Sequence, residues 1–126
     1  MITKPIPYGR QHITDEDIQC VIDALKSDYL TQGPKIKEFE EAFASYVGCK
    51  YAIAVNNATA GLHLAATALD VNLGDKVIVT PLTFAASANC IRFRGGEVVF
   101  CDVEEDTYLM DIKKLSRLLS QSPKGT

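Results

Sequence analysis

No apolar run in these 126 residues approaches the roughly 20 needed to cross a bilayer. The opening Met1-Ile2-Thr3-Lys4-Pro5 also lacks the hydrophobic region of a signal peptide. Both absences lead to the expectation of a cytoplasmic protein with no membrane partner. Basic charge is scarce as well. Thirteen Lys and Arg stand against sixteen Asp and Glu, a net charge of −3, which argues against a broad cationic surface for nucleic acid while leaving local anion sites open. The four cysteines, Cys20, Cys49, Cys90 and Cys101, have neither CxxC spacing nor the density of a disulfide scaffold. They read as reduced, small core residues, and no metal site is expected. GxGxxG, Walker A, HExxH and GxSxG are all missing, so dinucleotide binding, nucleotide hydrolysis and zinc or serine hydrolysis lack their usual markers. Internal repeats, low-complexity tracts and interior linkers are absent too.

What the chain does have is a globular composition, 47% hydrophobic and 23% charged, on a length typical of one domain. Thr14 followed by Asp17 forms a capping box with Asp in place of Glu, and Ile18, Val21, Ile22 and Leu25 recur at helical spacing, predicting a helix over 14–27. Gln32-Gly33-Pro34 breaks the pattern. Ile36, Phe39, Phe43 and Val47 then form a second stripe, with Glu38, Glu40 and Glu41 elsewhere on the cylinder and Gly48 as the stop, predicting a helix over 35–47. From Tyr51 the pattern alternates. Strands are predicted at 51–55, 76–80 and 97–101, with helices at 58–69 and 84–93 between them. Such alternation of short, nearly all-apolar strands with helices predicts an α/β fold, a parallel sheet with crossover helices. Asp111 is placed to cap a last helix that buries Ile112, Leu115, Leu118 and Leu119. The succession then stops at Ser122-Pro123-Lys124-Gly125-Thr126 without a following strand, which suggests the N-terminal part of a longer enzyme.

The segment Val55-Asn56-Asn57-Ala58-Thr59-Ala60-Gly61 carries the chemistry. A strand that ends in small polar residues and opens into a helix presents free N–H groups and the positive end of the helix dipole, a ready site for phosphate. Taken alone, the same residues fit an ordinary helix capped by Asn57 equally well. Two further strand ends can converge with this one, Thr80-Pro81-Leu82-Thr83-Phe84-Ala85-Ala86 and Asp102. Phe84 has the flat ring to lie against a planar heterocycle, although a core anchor for the following helix is the simpler account of it. His63, within the helix after the phosphate turn, reads as a packed or partly exposed helix residue, and nothing distinguishes His12.

Together these segments resemble the DegT/DnrJ/EryC1/StrS sugar aminotransferases, pyridoxal-phosphate (PLP) enzymes of type I fold. The resemblance is carried by Tyr29-Leu30-Thr31-Gln32-Gly33-Pro34, Phe39-Glu40-Glu41-Ala42-Phe43, the 55–62 segment, Gly74-Asp75-Lys76-Val77-Ile78-Val79, Pro81 through Asn89, and Val99-Phe100-Cys101-Asp102-Val103. The opening Ile6-Pro7-Tyr8-Gly9-Arg10-Gln11 and the 27–34 block look most like the branch that aminates C4 of a UDP-linked 4-keto-6-deoxy-N-acetylhexosamine, as in pseudaminic acid biosynthesis. The resemblance implies that Ala58 and Thr59 hold the phosphate of pyridoxal 5′-phosphate and that Phe84 stacks on its ring. It also implies a sugar-nucleotide site lined by Tyr8, Asp28, Tyr29, Leu30 and Thr31, for which plain loop structure is an equal alternative. An amino-acid donor, glutamate, and a homodimer are implied as well.

By the same resemblance, residues 1–34 form an N-terminal arm, helix and substrate loop, and 35–126 an incomplete N-terminal portion of the PLP-binding large domain. The family needs a Schiff-base lysine, an acidic partner for the pyridine nitrogen and usually a neighbouring histidine, all beyond the region matched. Lys35, Lys37, Lys50, Lys76, Lys113, Lys114 and Lys124 do not match the catalytic position and read as solvated surface charges. No catalytic residue is therefore expected here, and the 126 residues alone should be inactive. Two alternatives stand beside the aminotransferase: a sugar dehydratase of the same family with histidine at the lysine position, and a non-catalytic binding or association module.

Overall fold

Thr14 starts the first regular element just as its side chain dictates. In the computed structural model, which describes residues 7–121, its Oγ1 accepts the Asp17 N–H at 3.2 Å while Asp17 Oδ2 accepts the Thr14 N–H at 2.8 Å. This reciprocal box opens α1, Asp15–Leu25. The bonds from Thr14 hold the Asp17 carboxyl below its ordinary value. α1 stops two residues short of the predicted 27 because Ser27 Oγ donates to Ala24 O at 2.7 Å and to Tyr29 O at 3.1 Å, offering the backbone an alternative to helix. α2, Pro34–Val47, begins with proline in its first turn. It ends at Gly48 (φ +71°), where the Gly48 N–H reaches Ser45 O and the Cys49 N–H reaches Ala44 O at 3.0 Å. Met1–Pro5, Ile6 and Ser122–Thr126, with the expectations placed on them, lie outside the described residues.

The chain divides between Ala54 and Val55 into two compact units. In the first, only Ala44 is buried along α1 and α2. Ile18, Val21, Leu25, Ile36, Phe39, Phe43 and Val47, whose spacing predicted the two helices, are exposed. An amphipathic stripe specifies that a helix face wants cover without supplying the surface that covers it. The predicted strand at 51–55 is corrected: it belongs to no ladder among the described residues. A strand exists only through a partner's N–H and C=O groups. Here Tyr51 O accepts the Cys49 thiol and the Ala54 N–H goes to a side chain, Glu40.

The second unit holds α3 (Ala58–Ala68), β1 (Lys76–Val79), α4 (Ala86–Phe93), β2 (Glu97–Phe100) and α5 (Ile112–Gln121). β1 and β2 pair in parallel, with Lys76 opposite Glu97 and Val79 opposite Phe100, as strands joined by a crossover helix must. The ladder continues at each end through Glu97 N–H to Asp75 O at 2.8 Å and Cys101 N–H to Val79 O at 3.0 Å. Ala66, Val71, Cys90 and Ile91 form the core, with Val77 and Val98 packed against it, and Cys101 is 1% exposed. Cys90 and Cys101 thus meet the expectation of core cysteines. Cys20 and Cys49 do not: both are exposed, one on α1 and one just past α2. All four thiols are free.

The turns after α3 and α4 close this core. Each helix ends with a left-handed residue, Asp70 (φ +55°) and Gly95 (φ +87°), and with paired bonds back into the last turn, Val71 N–H to Ala66 O and Gly96 N–H to Ile91 O, both 3.1 Å. Arg94 Nε donates to Val71 O at 3.1 Å, tying one turn to the other. Gly96 must be glycine because a Cβ there would lie 2.8 Å from Ile91 Cγ2 and 2.9 Å from Val71 Cγ1. α4 starts at Ala86 instead of the predicted Phe84, with Ala85 as its cap and no side-chain cap bond. Asp111 caps α5 as expected, its Oδ1 accepting the N–H groups of Lys113 at 2.8 Å and Lys114 at 3.1 Å. Leu115 and Leu118 are half-buried, but Ile112 and Leu119 are exposed, a correction to the buried face expected of this helix. An antiparallel bridge between Val103 and Met110, unforeseen in the sequence, closes the excursion that leads into α5.

Gly96→Ala is expected to cost about 1–3 kcal/mol by overpacking the core. Gly61→Ala, where the new Cβ meets only Val55 Cγ2 at 3.6 Å, is expected to gain about 0.5–1 kcal/mol of helix stability. Urea titrations of the two variants beside the wild type check both signs.

Candidate functional site

Asn57 sets the geometry at the start of α3. Its backbone is extended (φ −167°, ψ 166°), its Oδ1 accepts the Ala60 N–H at 2.9 Å, and its carbonyl accepts the Gly61 N–H at 3.2 Å. That leaves the N–H groups of Ala58 and Thr59 without a partner among the described residues, at the positive end of an eleven-residue helix. Thr59 is half-buried and its hydroxyl likewise makes no hydrogen bond there. Two amides and a hydroxyl beside small side chains fit a phosphate, which offers several acceptor oxygens and negative charge. The cap and the anion site are thus not exclusive: Asn57 satisfies Ala60 and Gly61 and leaves the two amides ahead of them free.

Phe84 follows the end of β1 and is 78% exposed. The core-anchor account is therefore overturned, since Ala86, Cys90 and Ile91 are the residues of α4 that enter the core. An exposed ring on a short loop is available to cover a planar group. Asp102, at the third strand end, is committed elsewhere. Its Oδ2 accepts from Lys114 Nζ at 2.8 Å and its Oδ1 from the Val103 N–H at 2.9 Å. The Lys114 hydrogen bond lowers the Asp102 carboxyl, and Asp102 in turn raises Lys114. Lys114 is exposed, as expected of a surface charge, and pairs with Asp102, two residues past β2, while lying 3.7 Å from Asp111. His63 is half-buried with its ring 5.7 Å from that of Phe93, the packed helix residue expected.

Ala58, Thr59 and Phe84 fall in the second unit, and Tyr8 and 28–31 in the first. Tyr8, Asp28, Tyr29, Leu30 and Thr31 are all exposed. The 28–33 loop is tightly folded, with Gln32 at φ +56°. A Cβ on Gly33 would stand 2.8 Å from Tyr29 Cβ, so glycine there permits the Tyr29 backbone to turn back on itself. Sequence reasoning missed Glu40, whose Oε1 accepts the Ala54 N–H at 2.8 Å. Its signal was the spacing of four that aligns Ile36, Glu40 and Ala44 on one side of α2. Among the described residues no group of three His, Cys, Asp or Glu is placed to hold a metal, and no helix is long and apolar enough to cross a membrane.

The second unit is an α/β fold with a parallel sheet and helices, and solved PLP-dependent aminotransferases share it. The model of the DegT/DnrJ/EryC1/StrS aminotransferase family matches residues 11–125, and the chain belongs to that family, whose aminotransferases are PLP-dependent. It is 44% identical over 93% of its length to the UDP-4-amino-4,6-dideoxy-N-acetyl-beta-L-altrosamine transaminase of Campylobacter jejuni, covering 31% of that protein. Spr1654 of Streptococcus pneumoniae, solved in PLP and PMP forms, superposes with a TM-score of 0.85 at 38% identity, over 89% of this chain and 29% of that one in the PLP form. PseC of Helicobacter pylori, an aminotransferase involved in the biosynthesis of pseudoaminic acid, gives 0.84 at 32% identity, over 91% and 31%. The chain thus spans about a third of the length of the relatives it matches.

The Asp102 and Asp111 carboxyls are held below their ordinary 3.8, and Lys114 above its ordinary 10.5. The carboxylates therefore add stability above the ordinary value that is lost as pH falls through their lowered folded values. The lysine adds stability below its ordinary value that is lost as pH rises through its raised one. Lys114→Met should lower the urea midpoint at neutral pH, and its difference from wild type should vanish in acid, below the lowered carboxyl values. A midpoint difference that persists there would assign the loss to packing of the lysine stem.

Proposed function

We propose that the protein is a PLP-dependent aminotransferase that moves an amino group from an amino-acid donor, glutamate, to a UDP-linked 4-keto-6-deoxy sugar for polysaccharide or glycan biosynthesis. It acts as a cytoplasmic homodimer. Residues 35–126 supply the N-terminal portion of its PLP-binding domain, and residues 1–34 its arm, first helix and substrate loop. The observation that carries the reading is the start of α3, where Asn57 caps Ala60 and Gly61 and leaves the Ala58 and Thr59 amides free to hold an anion. The sugar class rests on the printed activities of the Campylobacter and Helicobacter relatives.

Bound PLP supplies a carbonyl carbon that takes up the amino group and a pyridine ring that delocalises the electron pair released at the reacting carbon. The part of this chain in that chemistry is binding and orientation. The amides of Ala58 and Thr59 and the Thr59 hydroxyl hold the phosphate, fixing one end of the cofactor at a positive helix terminus. The ring of Phe84 covers one face of the heterocycle and keeps water from it, which also accounts for an aromatic side chain left 78% exposed. Tyr8, Asp28, Tyr29, Leu30 and Thr31 contact the sugar nucleotide, with Gly33 holding the Tyr29 turn in shape. The lysine that carries the amino-transfer step is not among the residues of this chain.

Equilibrium dialysis of PLP against the intact protein tests the assignment. Thr59→Val keeps the side-chain shape and removes one hydrogen bond to a charged group, so PLP should be held about tenfold more weakly. Retention equal to wild type would remove Thr59 from the phosphate site. Phe84→Ala should likewise weaken retention, and should do so as much for PLP as for the pyridoxamine form, because a stacking ring does not distinguish them.

A further inference from the structure

The cap of α4 is Ala85, at a position where serine, threonine, asparagine or aspartate would ordinarily supply a side-chain acceptor. Ser87, one residue inside the helix, ties this turn instead, and it does so on both sides of Phe84. Its N–H donates to the Phe84 carbonyl at 3.0 Å, and its Oγ shares a hydrogen bond with Thr83 Oγ1 at 3.1 Å. Ser87 is half-buried and stands between two residues that enter the core, Ala86 and Cys90. Its own carbonyl accepts the Cys90 thiol at 3.2 Å. The N–H groups of Ala88 and Asn89 both reach Ala85 O, at 3.1 and 2.9 Å. Every one of these bonds is made within 83–90, inside the second unit.

We infer that Ser87 and Thr83 are positioning residues for the Phe84 ring: the hydroxyl pair ties the residue before Phe84 to the first turn of α4, and the Ser87 amide ties the peptide after it to the same place. This inference rests on the PLP reading given under Proposed function, in which Phe84 covers one face of the cofactor. The direction of a side chain is set at its Cα–Cβ bond, and so by the backbone on both sides of it. A ring that lies flat on a heterocycle is sensitive to that direction, since a gap of about 0.5–1 Å already forfeits a quarter to a half of a dispersion contact. The role needs a hydroxyl at each position and no charge. Either hydroxyl can donate while the other accepts, so serine and threonine are interchangeable in it.

The test is a mutant cycle in the intact protein, with PLP retention read by equilibrium dialysis. Ser87→Ala and Thr83→Val should each hold PLP about threefold more weakly, the effect of one hydrogen bond between neutral groups. The double variant should lose no more than either one, because both remove the same bond. Ser87→Thr, which keeps the hydroxyl, should retain PLP as wild type does. In a Phe84→Ala background, Ser87→Ala should cost nothing further, a signature that a merely structural role would not give. Thr83→Val, at an exposed position, keeps the test decisive should Ser87→Ala disturb the helix. Wild-type retention in both Ser87→Ala and Thr83→Val would overturn the positioning role. So would a loss from Ser87→Ala that is as large without the ring as with it. Phe84→Ala that retains PLP as wild type does would overturn the stacking role, and a wild-type protein that binds no PLP would overturn the PLP reading itself, outcomes distinct from the first two.

Discussion

The start of α3 is the constraint on which the rest of the second unit converges. The first amides at a helix N-terminus lack helical acceptors, and here the Asn57 side chain supplies one for Ala60 while Gly61 makes the first helical bond, to the Asn57 carbonyl, so that the Ala58 and Thr59 amides stay free. The choice of which two stay free depends on the extended backbone of Asn57. The helix behind it is held by Ala66 and by the turn through Asp70 and Val71, which pack on Cys90 and Ile91 of α4. α4 is in turn the crossover that makes β1 and β2 parallel and sets the loop bearing Phe84 at the end of β1. Glycine at 96 allows the turn after α4 to close on that core. The packing thus serves to hold one helix start and one loop in place.

Local chemistry was legible wherever it is self-contained. The Thr14–Asp17 box, the Gly48 stop, the Asn57 and Asp111 caps and the parallel pairing of 76–79 with 97–100 all follow from residues close in sequence or from strand–helix–strand alternation. What failed depends on partners. Apolar periodicity in Ile18, Val21, Leu25, Ile36, Phe39 and Phe43 established faces that seek cover, yet these residues are exposed. The 51–55 run has strand composition and no ladder among the described residues. The strand reading of 51–55 took apolar composition as pairing, which one stretch of chain cannot guarantee. Phe84, for which the residue alone favoured a core anchor and the resemblance implied ring stacking, is exposed after the end of β1.

Charged residues divide along the same line. Lys35 with Glu38, Lys37 with Glu41 and Lys76 with Glu97 are exposed pairs of the kind that add little to stability. Lys114 adds to its exposed pair with Asp102 a 3.7 Å approach to Asp111, and half-buried Glu40 binds a backbone amide, that of Ala54, fourteen residues away. Neither was recognisable from composition or local charge pattern. Such contacts emerge only when residues distant in sequence are brought together.

The central claim is that the fold supports amino transfer through PLP, and the half-reaction tests it most directly. The intact protein, reconstituted with PLP and mixed with glutamate, should convert the cofactor to its pyridoxamine form, with one 2-oxoglutarate released per site and an absorption change to match. PLP that binds tightly and stays unchanged with every amino acid tried, glutamate included, would contradict the claim and leave a family fold put to another use.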